Sequence, residues 1–172
     1  MQFHRQSIRL PDYDYSDFGY YFVTICAQNM AYDFGIIIDN KIKLTKIGEI
    51  AGQYWLKIPE HFKKIKLDKF VVMPNHLHGI VVIECRGAPW RAPTKTKFGP
   101  LKPKSLSLIM NHFKGSVKRW SNKNSFEYFQ WQRNYYERII RNSQELNRTR
   151  LYIQNNPINW ELDRNNPENF KL

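Results

Sequence analysis

The feature that most constrains the fold is a pair of apolar segments separated only by Pro74-Asn75. Residues 65–73 and 76–84 are both rich in β-branched and other apolar side chains, which is typical of core strands. Because so few residues separate them, we expect the two strands to form a hairpin or near-hairpin.

The other predicted elements surround this hairpin in the sequence. They are a strand at 20–27, a short hairpin around Asp39-Asn40, a helix from Thr45 to Pro59, a helix at 105–120, a strand at 128–140 and a helix at 143–155. The order strand, helix, strand, strand, helix, strand, helix is that of a split βαβ unit. We therefore predict an α+β, ferredoxin-like antiparallel sheet with one added C-terminal helix. The length of 172 residues suits a single domain over 1–172, with a basic, Pro-containing loop at about 86–104.

The charge of the chain points to a polyanionic partner. There are 27 Lys and Arg against 15 Asp and Glu, which gives a net charge of +12. Such an excess of positive charge favours nucleic acid as the binding partner, ahead of an anionic membrane surface. Aromatic residues make up 15% of the chain, and aromatic rings among cations favour single strands, whose bases can stack on them. Charge alone fits a basic protein with a large aromatic core equally well.

The positive charge is concentrated in one acid-free segment. Residues 85–126 contain ten Lys and Arg and no Asp or Glu. We interpret the segment as an arm and helix face that follow a phosphate backbone, the alternative being a solvated loop. The candidate DNA-binding cations here are Arg91, Lys95, Lys97, Lys102, Lys104, Lys114, Lys118 and Arg119, to which the last helix adds Arg148.

The cysteines and the apolar runs indicate a reduced, cytoplasmic setting. Cys26 and Cys85 both lie in apolar runs, which favours buried thiols over a disulfide or a metal pair. The first residues contain no apolar signal core, and no apolar run approaches the roughly 18 residues that span a bilayer. We therefore expect a cytoplasmic protein with no membrane partner.

His76 and His78 form a candidate metal-binding pair. Successive side chains of a strand alternate between its faces, so both imidazoles point the same way, and Ile80 and Val82 continue that face. Two adjacent neutral imidazoles can hold one divalent ion. The spacing alone is weak, because two histidines at a strand end more often make ordinary hydrogen bonds.

The last predicted helix carries a candidate nucleophile. Tyr152 and Asn156 lie four residues apart and share a stripe with Arg148, one turn earlier, while Leu146 and Ile153 face the core. A tyrosine at the edge of the buried face, near two histidines, suggests a nucleophile that attacks a phosphodiester beside a metal. From the helix pattern alone, an amphipathic aromatic residue at the edge of the core is the more ordinary interpretation.

Three segments together resemble a known family. VVMPNHLHGIVV resembles the His-hydrophobic-His strand of the HUH single-strand DNA endonucleases. WQRNYYERIIRN followed by LNRTRLYIQNNP resembles the C-terminal signature of the REP-associated tyrosine transposases, which belong to the single-tyrosine, IS200-like superfamily. The opening YDYSDFGYYFVTICAQN resembles that family's first strand, so the match runs from about residue 9 to residue 160.

The resemblance implies a role for each matching residue. His76 and His78 match the histidines that bind Mg2+ or Mn2+, and Tyr152 matches the nucleophile. Asn156 matches the position of a polar third ligand, which is Gln in many members. Trp131-Gln132 matches a Trp-Gln strand that we interpret as structural.

The resemblance also implies an activity, a metal-dependent transposase or endonuclease. Such an enzyme cleaves and rejoins single-stranded DNA with hairpin or repeat elements through a 5′-phosphotyrosine intermediate.

Tyr135 and Tyr136 are rival nucleophiles by residue type, but they lie on a predicted strand. The alternative function is a nonenzymatic protein that binds single-stranded DNA or RNA hairpins, which includes a degenerate transposase. The sequence leaves open whether the chain acts as a monomer or as a homodimer.

Overall fold

The computed structural model describes residues 18–84 and 105–170. Its elements in chain order are β1 (Gly19–Cys26), β2 (Gly35–Ile38), β3 (Lys41–Leu44), α1 (Lys46–Leu56), α2 (Ile58–His61), β4 (Ile65–Val72), β5 (His76–Ile83), α3 (Leu106–Lys123), β6 (Tyr136–Ile140) and α4 (Ser143–Asn155). Several predictions fall outside the described residues, namely Cys85, the loop at 86–104, and the cations Arg91, Lys95, Lys97, Lys102 and Lys104.

The predicted fold class is confirmed. Four strands form one antiparallel sheet in the order β4-β5-β1-β6, which is the ferredoxin-like order, and β2 and β3 form a separate two-stranded sheet. β1 pairs with β5 along its whole length, from Gly19 opposite Ile83 to Cys26 opposite His76. The histidine strand is therefore central in the sheet, held by β4 on one side and β1 on the other.

The predicted hairpin at Pro74-Asn75 is confirmed as well. β4 and β5 are antiparallel neighbours, and the amide of Met73 donates to the carbonyl of His76 at 2.7 Å to close the turn. The turn residues are buried, since Asn75 is 0% exposed. The start of β5 therefore lies inside the protein.

The two faces of the sheet have separate apolar cores. One face is covered by α1 and α3, whose apolar side chains pack with Tyr21, Val23 and Leu77. The other face is covered by α4, which packs Leu146 and Ile153 against the sheet. Because side chains alternate along a strand, His76 and His78 share the α4 face with Ile80. The added C-terminal helix and the histidine pair therefore lie on the same side of the sheet.

Helix α4 begins and ends at the predicted residues. The side chain of Asn142 accepts a hydrogen bond from the amide of Glu145 at 2.8 Å, which is the contact of an N-cap. An ion pair also joins the helix to the edge strand β4, where the Arg150 guanidinium binds the Asp68 carboxylate at 2.6 Å. These contacts fix the helix that carries Tyr152.

The strand predicted over 128–140 is shorter in the structure. β6 covers only Tyr136–Ile140, and before it Trp131 makes an isolated bridge to Ala27. The Lys118 ammonium donates to the carbonyls of Glu127 and Phe129, at 2.9 and 2.6 Å. These contacts hold the segment in a non-extended path, with Phe129 fully buried in the core. Phe129 and Trp131 therefore pack in or against the core and do not belong to a strand.

The helix predicted from Thr45 to Pro59 is divided in two. α1 ends at Leu56, and Pro59 lies in the first turn of α2, where a missing amide proton costs little. Thr45 is the N-cap of α1, with its hydroxyl oxygen accepting from the amide of Gly48. The helix predicted at 105–120 is α3, which extends beyond residue 120 to Lys123.

We expect Gly79→Ala to destabilise the protein by about 1 to 3 kcal/mol, because it overfills the core. A methyl group at residue 79 would collide with the indole of Trp55, which is fully buried and cannot move aside. Urea unfolding measures the effect. The matched control is Gly52→Ala on α1, where the added methyl meets Val72 at an ordinary 3.7 Å and should be neutral or stabilising. Equal effects of the two substitutions would contradict this packing.

Candidate metal and nucleophile site

The imidazoles of His76 and His78 meet inside the protein. Both residues are 0% exposed, and their Nε2 atoms lie 3.0 Å apart. Two nitrogens at adjacent corners of an octahedral ion, each about 2.1 Å from it, would be separated by about 3.0 Å. The pair therefore has the spacing that a shared divalent ion requires.

Hydrogen bonds at the outer nitrogens orient both rings. Asn75 donates from its amide nitrogen to the carbonyls of Met30 and Asn165, so its oxygen is the acceptor for His76 Nδ1, at 2.7 Å. His76 Nδ1 therefore carries the proton, and Nε2 presents its lone pair to His78. Thr24 Oγ1 lies 2.8 Å from His78 Nδ1. Partners of this kind hold metal-binding histidines in position, and no sequence pattern identified Asn75 or Thr24 as one of them.

Burial keeps both imidazoles neutral. Desolvation lowers the pKa of His76 to about 4, against the opposing effect of the Asp163 charge, and lowers the pKa of His78 well below its usual range. At neutral pH neither ring takes up a proton readily. Neutral imidazoles suit a bound cation, because metal ligation requires the neutral ring.

We expect the stability contributed by neutral His76 to decrease as the pH is lowered. The unfolded chain takes up a proton on His76 near pH 6.5, whereas the folded chain does so only near pH 4. The contribution is therefore complete above pH 6.5 and is lost as the pH falls toward 4. From pH 7 to 4.5 the wild type should lose about 2 to 3 kcal/mol of unfolding free energy relative to His76→Gln, with EDTA present. A constant difference in urea unfolding would contradict the neutral, buried state of His76.

The Tyr152 hydroxyl reaches the histidine pair. Its Oη lies 3.2 Å from His78 Nε2 and donates to Asp163 Oδ2 at 3.4 Å. The ring of Phe22 packs against both His78 and Tyr152, which fixes their separation. The structure thus brings together the three residues that the sequence singled out, and one chain supplies all of them.

The environment of Tyr152 favours the protonated phenol. Burial, followed by the charge of Asp163, raises its pKa to about 12. A phenol with so high a pKa is a poor nucleophile at neutral pH. Chemistry at this hydroxyl therefore needs a nearby cation or a proton acceptor.

Asp163 is the functional candidate that sequence reasoning missed. It follows a 3₁₀ turn at Trp160–Leu162, is 5% exposed, and forms with His76 and His78 a group whose ligand atoms all lie within 4.8 Å of one another. The backbone amide of Asn165 donates to Asp163 Oδ1 at 2.6 Å and fixes the carboxylate. Asp163 lies in a polar, non-periodic stretch after α4, so no sequence pattern could have identified it.

Asn156, the predicted third ligand, lies beside this group. It is 2% exposed, and its amide nitrogen donates to Asp163 Oδ2 at 2.8 Å. Its carbonyl oxygen is buried and has no hydrogen-bond partner among the described residues. A buried acceptor of this kind needs a partner, which a cation or its bound water could supply. The chemistry of the donor set therefore fits a divalent ion.

The predicted DNA-binding cations occupy different settings. The Lys114 ammonium donates to the carbonyls of Gln132 and Arg133, and Lys118 holds the neighbouring backbone, so both have structural contacts. Arg119 is exposed and bonds Ser116. Arg148 lies on α4 at the wall of a cleft that reaches Tyr152. Their contacts with DNA stay predictions.

The other sequence predictions concern structural residues. Trp131 packs against Phe113 and Phe129, and its indole nitrogen donates to the carbonyl of Lys114 at 3.0 Å. Cys26 is a half-buried free thiol whose pKa is raised to about 11, first of all by burial. In the described parts of the chain, no helix combines the length and apolar character needed to span a membrane.

Comparisons with known proteins identify a relative in sequence and a protein of similar fold. An uncharacterized protein of Haemophilus influenzae is 43% identical over 165 residues, which cover 93% of this chain and 92% of that protein. Among solved structures, a REP-associated tyrosine transposase bound to a REP hairpin is similar in fold, with a TM-score of 0.59 and 17% identity over 90% of this chain and 74% of the other. No family model matches the chain.

Proposed function

We propose that this chain, which belongs to the same family as the Haemophilus influenzae protein, is a tyrosine transposase or endonuclease of the REP-associated type. Its substrate is single-stranded DNA with hairpin or repeat elements. The observation that carries the proposal is the 3.2 Å separation of Tyr152 Oη from His78 Nε2, beside a group of two imidazoles and a carboxylate. Nucleophile and metal ligands in contact are what tyrosine-mediated phosphodiester cleavage requires.

The residues that would hold Mg2+ or Mn2+ are His76, His78 and Asp163, with Asn156 beside them. A bound divalent ion supplies positive charge that stabilises the negative charge developing on the phosphate. Asn75 and Thr24 fix the two imidazoles through their outer nitrogens. The chain itself thus provides a preorganised donor set.

The chemical step uses Tyr152 as the nucleophile. Oη attacks the phosphorus, a Tyr–O–P bond forms, and the bond from phosphorus to the 3′ oxygen breaks. The phenol proton passes to Asp163 Oδ2, 3.4 Å away, and the departing 3′ oxygen takes up a proton from solvent. The tyrosine then holds the 5′-phosphate, and attack by another 3′-hydroxyl rejoins the strand without ATP, because the phosphoester bond energy is retained.

Two features support a single-stranded DNA substrate. The net charge of +12 favours a polyanion, and the transposase of similar fold is bound to a REP hairpin. Unpaired bases can be stacked and read, whereas a duplex hides them. The contact between Tyr152 and His78 within one chain supports a site built from a single copy, and dimerisation stays a prediction.

The experiment that tests the proposal uses labelled single-stranded hairpins from the DNA that flanks the gene of this protein. Incubation with protein and Mn2+ or Mg2+ should give a covalent protein–DNA product that survives a denaturing gel, and EDTA should abolish it. Tight binding with no covalent product at any divalent ion concentration would contradict the enzyme and favour a hairpin-binding protein.

A further inference from the structure

The four histidines of the described residues form two pairs, and only one pair belongs to the site described above. The second pair is His61, at the end of α2, and His112, within α3. Their ring centroids lie 4.7 Å apart, close to the 4.3 Å that separates the rings of His76 and His78. Since residues 61 and 112 are distant in sequence, the packing of the fold brings their rings together.

The second pair lies on the side of the sheet away from Tyr152. Helix α3 packs with α1 on one face of the sheet, whereas α4 and the first histidine pair lie on the other face. The sheet therefore separates the two pairs. The mechanism described above makes no use of His61 or His112.

The ring of His112 is held in place by an aromatic neighbour. Phe62 meets it edge-on, with ring centroids 5.4 Å apart and an interplanar angle of 89°. Phe62 packs against the apolar core, and His112 itself is half-buried. His61, by contrast, is exposed, so an ion can reach the pair from solvent. One imidazole is thus fixed and the other is accessible beside it.

The separation of the two rings suits a shared ion. When two imidazoles bind one ion, with each nitrogen about 2.1 Å from it, the ring centroids lie about 4.5 to 5.2 Å apart at bond angles of about 90° to 109°. The 4.7 Å between the rings of His61 and His112 falls within this range. Within the described residues neither ring makes a hydrogen bond, and the Ser116 hydroxyl donates to the backbone carbonyl of His112 instead, at 2.8 Å.

The chemistry of the pair favours ions that prefer nitrogen ligands. Burial lowers the pKa of His112, and the nearby His61 and Arg119 lower it further, so this ring is neutral at neutral pH, as ligation requires. Imidazole suits Zn2+, Cu2+ and Ni2+, whereas Mg2+ prefers oxygen. In the described part of the chain no acid or thiol completes a group of three ligands at this pair, so water would fill the remaining positions.

We propose that His61 and His112 bind one transition-metal ion of the kind that prefers imidazole, such as Zn2+, and that the ion joins α2 to α3. Unfolding separates the two ligands, so the bound ion stabilises the folded protein. The site is distinct from the group around His76 and His78, and it does not depend on the proposed function.

Nuclear magnetic resonance of the histidine rings tests the site with Zn2+ alone as the probe. The ring signals of His61 and His112, assigned with His61→Gln and His112→Gln, should shift together as Zn2+ is added, and excess Mg2+ should leave them unchanged. His61→Gln should lower the Zn2+ affinity that the His112 signal reports at least about tenfold. This variant should fold normally, because His61 is exposed and the contact between His112 and Phe62 remains. The matched control is Lys63→Gln, an exposed residue close in sequence, which should bind Zn2+ like the wild type.

Several results would overturn the inference. Ring signals of His61 and His112 that do not move in excess Zn2+ would show that the two rings only pack together. An unchanged affinity in His61→Gln would show that the two histidines do not share an ion. Zn2+ should also raise the urea midpoint of the wild type more than that of His61→Gln, and equal shifts would contradict an ion that joins the two helices.

The covalent DNA product separates this site from the site at Tyr152. His61→Gln should form the product with Mn2+ at the wild-type rate, because the sheet lies between the two sites. Loss of the product in this variant would contradict two separate sites. Zn2+ binding at His61 and His112 supports the inference even if no covalent product is ever found.

Discussion

Replacing Tyr152 with Phe is expected to abolish the covalent protein–DNA product, with a loss of at least about a thousandfold in its rate of formation. The hydroxyl is the atom that forms the new bond, and no neighbouring group within the site replaces it. The ring packing against Phe22 and His78 remains, so the fold should persist. The lost hydrogen bond to Asp163 costs about 1 kcal/mol of stability. Denaturing gels measure the product, and anisotropy with the same hairpin measures binding.

The controls for this substitution are Tyr135→Phe and Tyr136→Phe, which remove the two rival hydroxyls. Both are expected to form the covalent product, since Tyr152 is the tyrosine that contacts His78. Product formation by Tyr152→Phe at the wild-type rate would show that another residue is the nucleophile, and would contradict the account.

Removing Asp163 should weaken metal binding more than removing Asn156. In Asp163→Asn the site loses its one negative charge, whereas Asn156→Ala leaves the two imidazoles and the carboxylate in place. We expect Mn2+ affinity to fall at least about tenfold more in Asp163→Asn, with a parallel loss of covalent product. Electron paramagnetic resonance of free Mn2+ measures the affinity. Asp163→Asn keeps the size of the side chain, so its fold should survive.

The matched control is Glu60→Gln, which removes an exposed carboxylate on α2, away from the histidines. It should bind Mn2+ like the wild type. The opposite order, with Asn156→Ala the more damaging variant, would show that the amide at residue 156 is the third ligand, as the resemblance implied.

The fold was predictable where local patterns decide the structure. The alternation of side chains along a strand placed His76 and His78 on one face, and the local pattern predicted a last helix at 143–155, the bounds of α4. Both signals depend on neighbours within a few residues. They were therefore readable without knowledge of the tertiary fold.

The rest of the site depends on contacts that are distant in sequence. Asp163 reaches the histidines because the chain turns back after α4, and Asn75 is oriented by Asn165, 90 residues away. Likewise, the ammonium groups of Lys114 and Lys118 bind backbone carbonyls of residues 127–133, although charge alone suggested DNA. Contacts between residues so far apart in the sequence cannot be predicted from its periodicity or spacing.

Mass spectrometry of the covalent product tests the central claim most directly. After nuclease trimming and trypsin digestion, Tyr152 falls in peptide 151–164, while Tyr135 and Tyr136 fall together in peptide 134–138. The account predicts a nucleotide attached through its 5′-phosphate to Tyr152 in the first peptide. A nucleotide on the second peptide, or hairpin cleavage with no modified tyrosine at all, would contradict it.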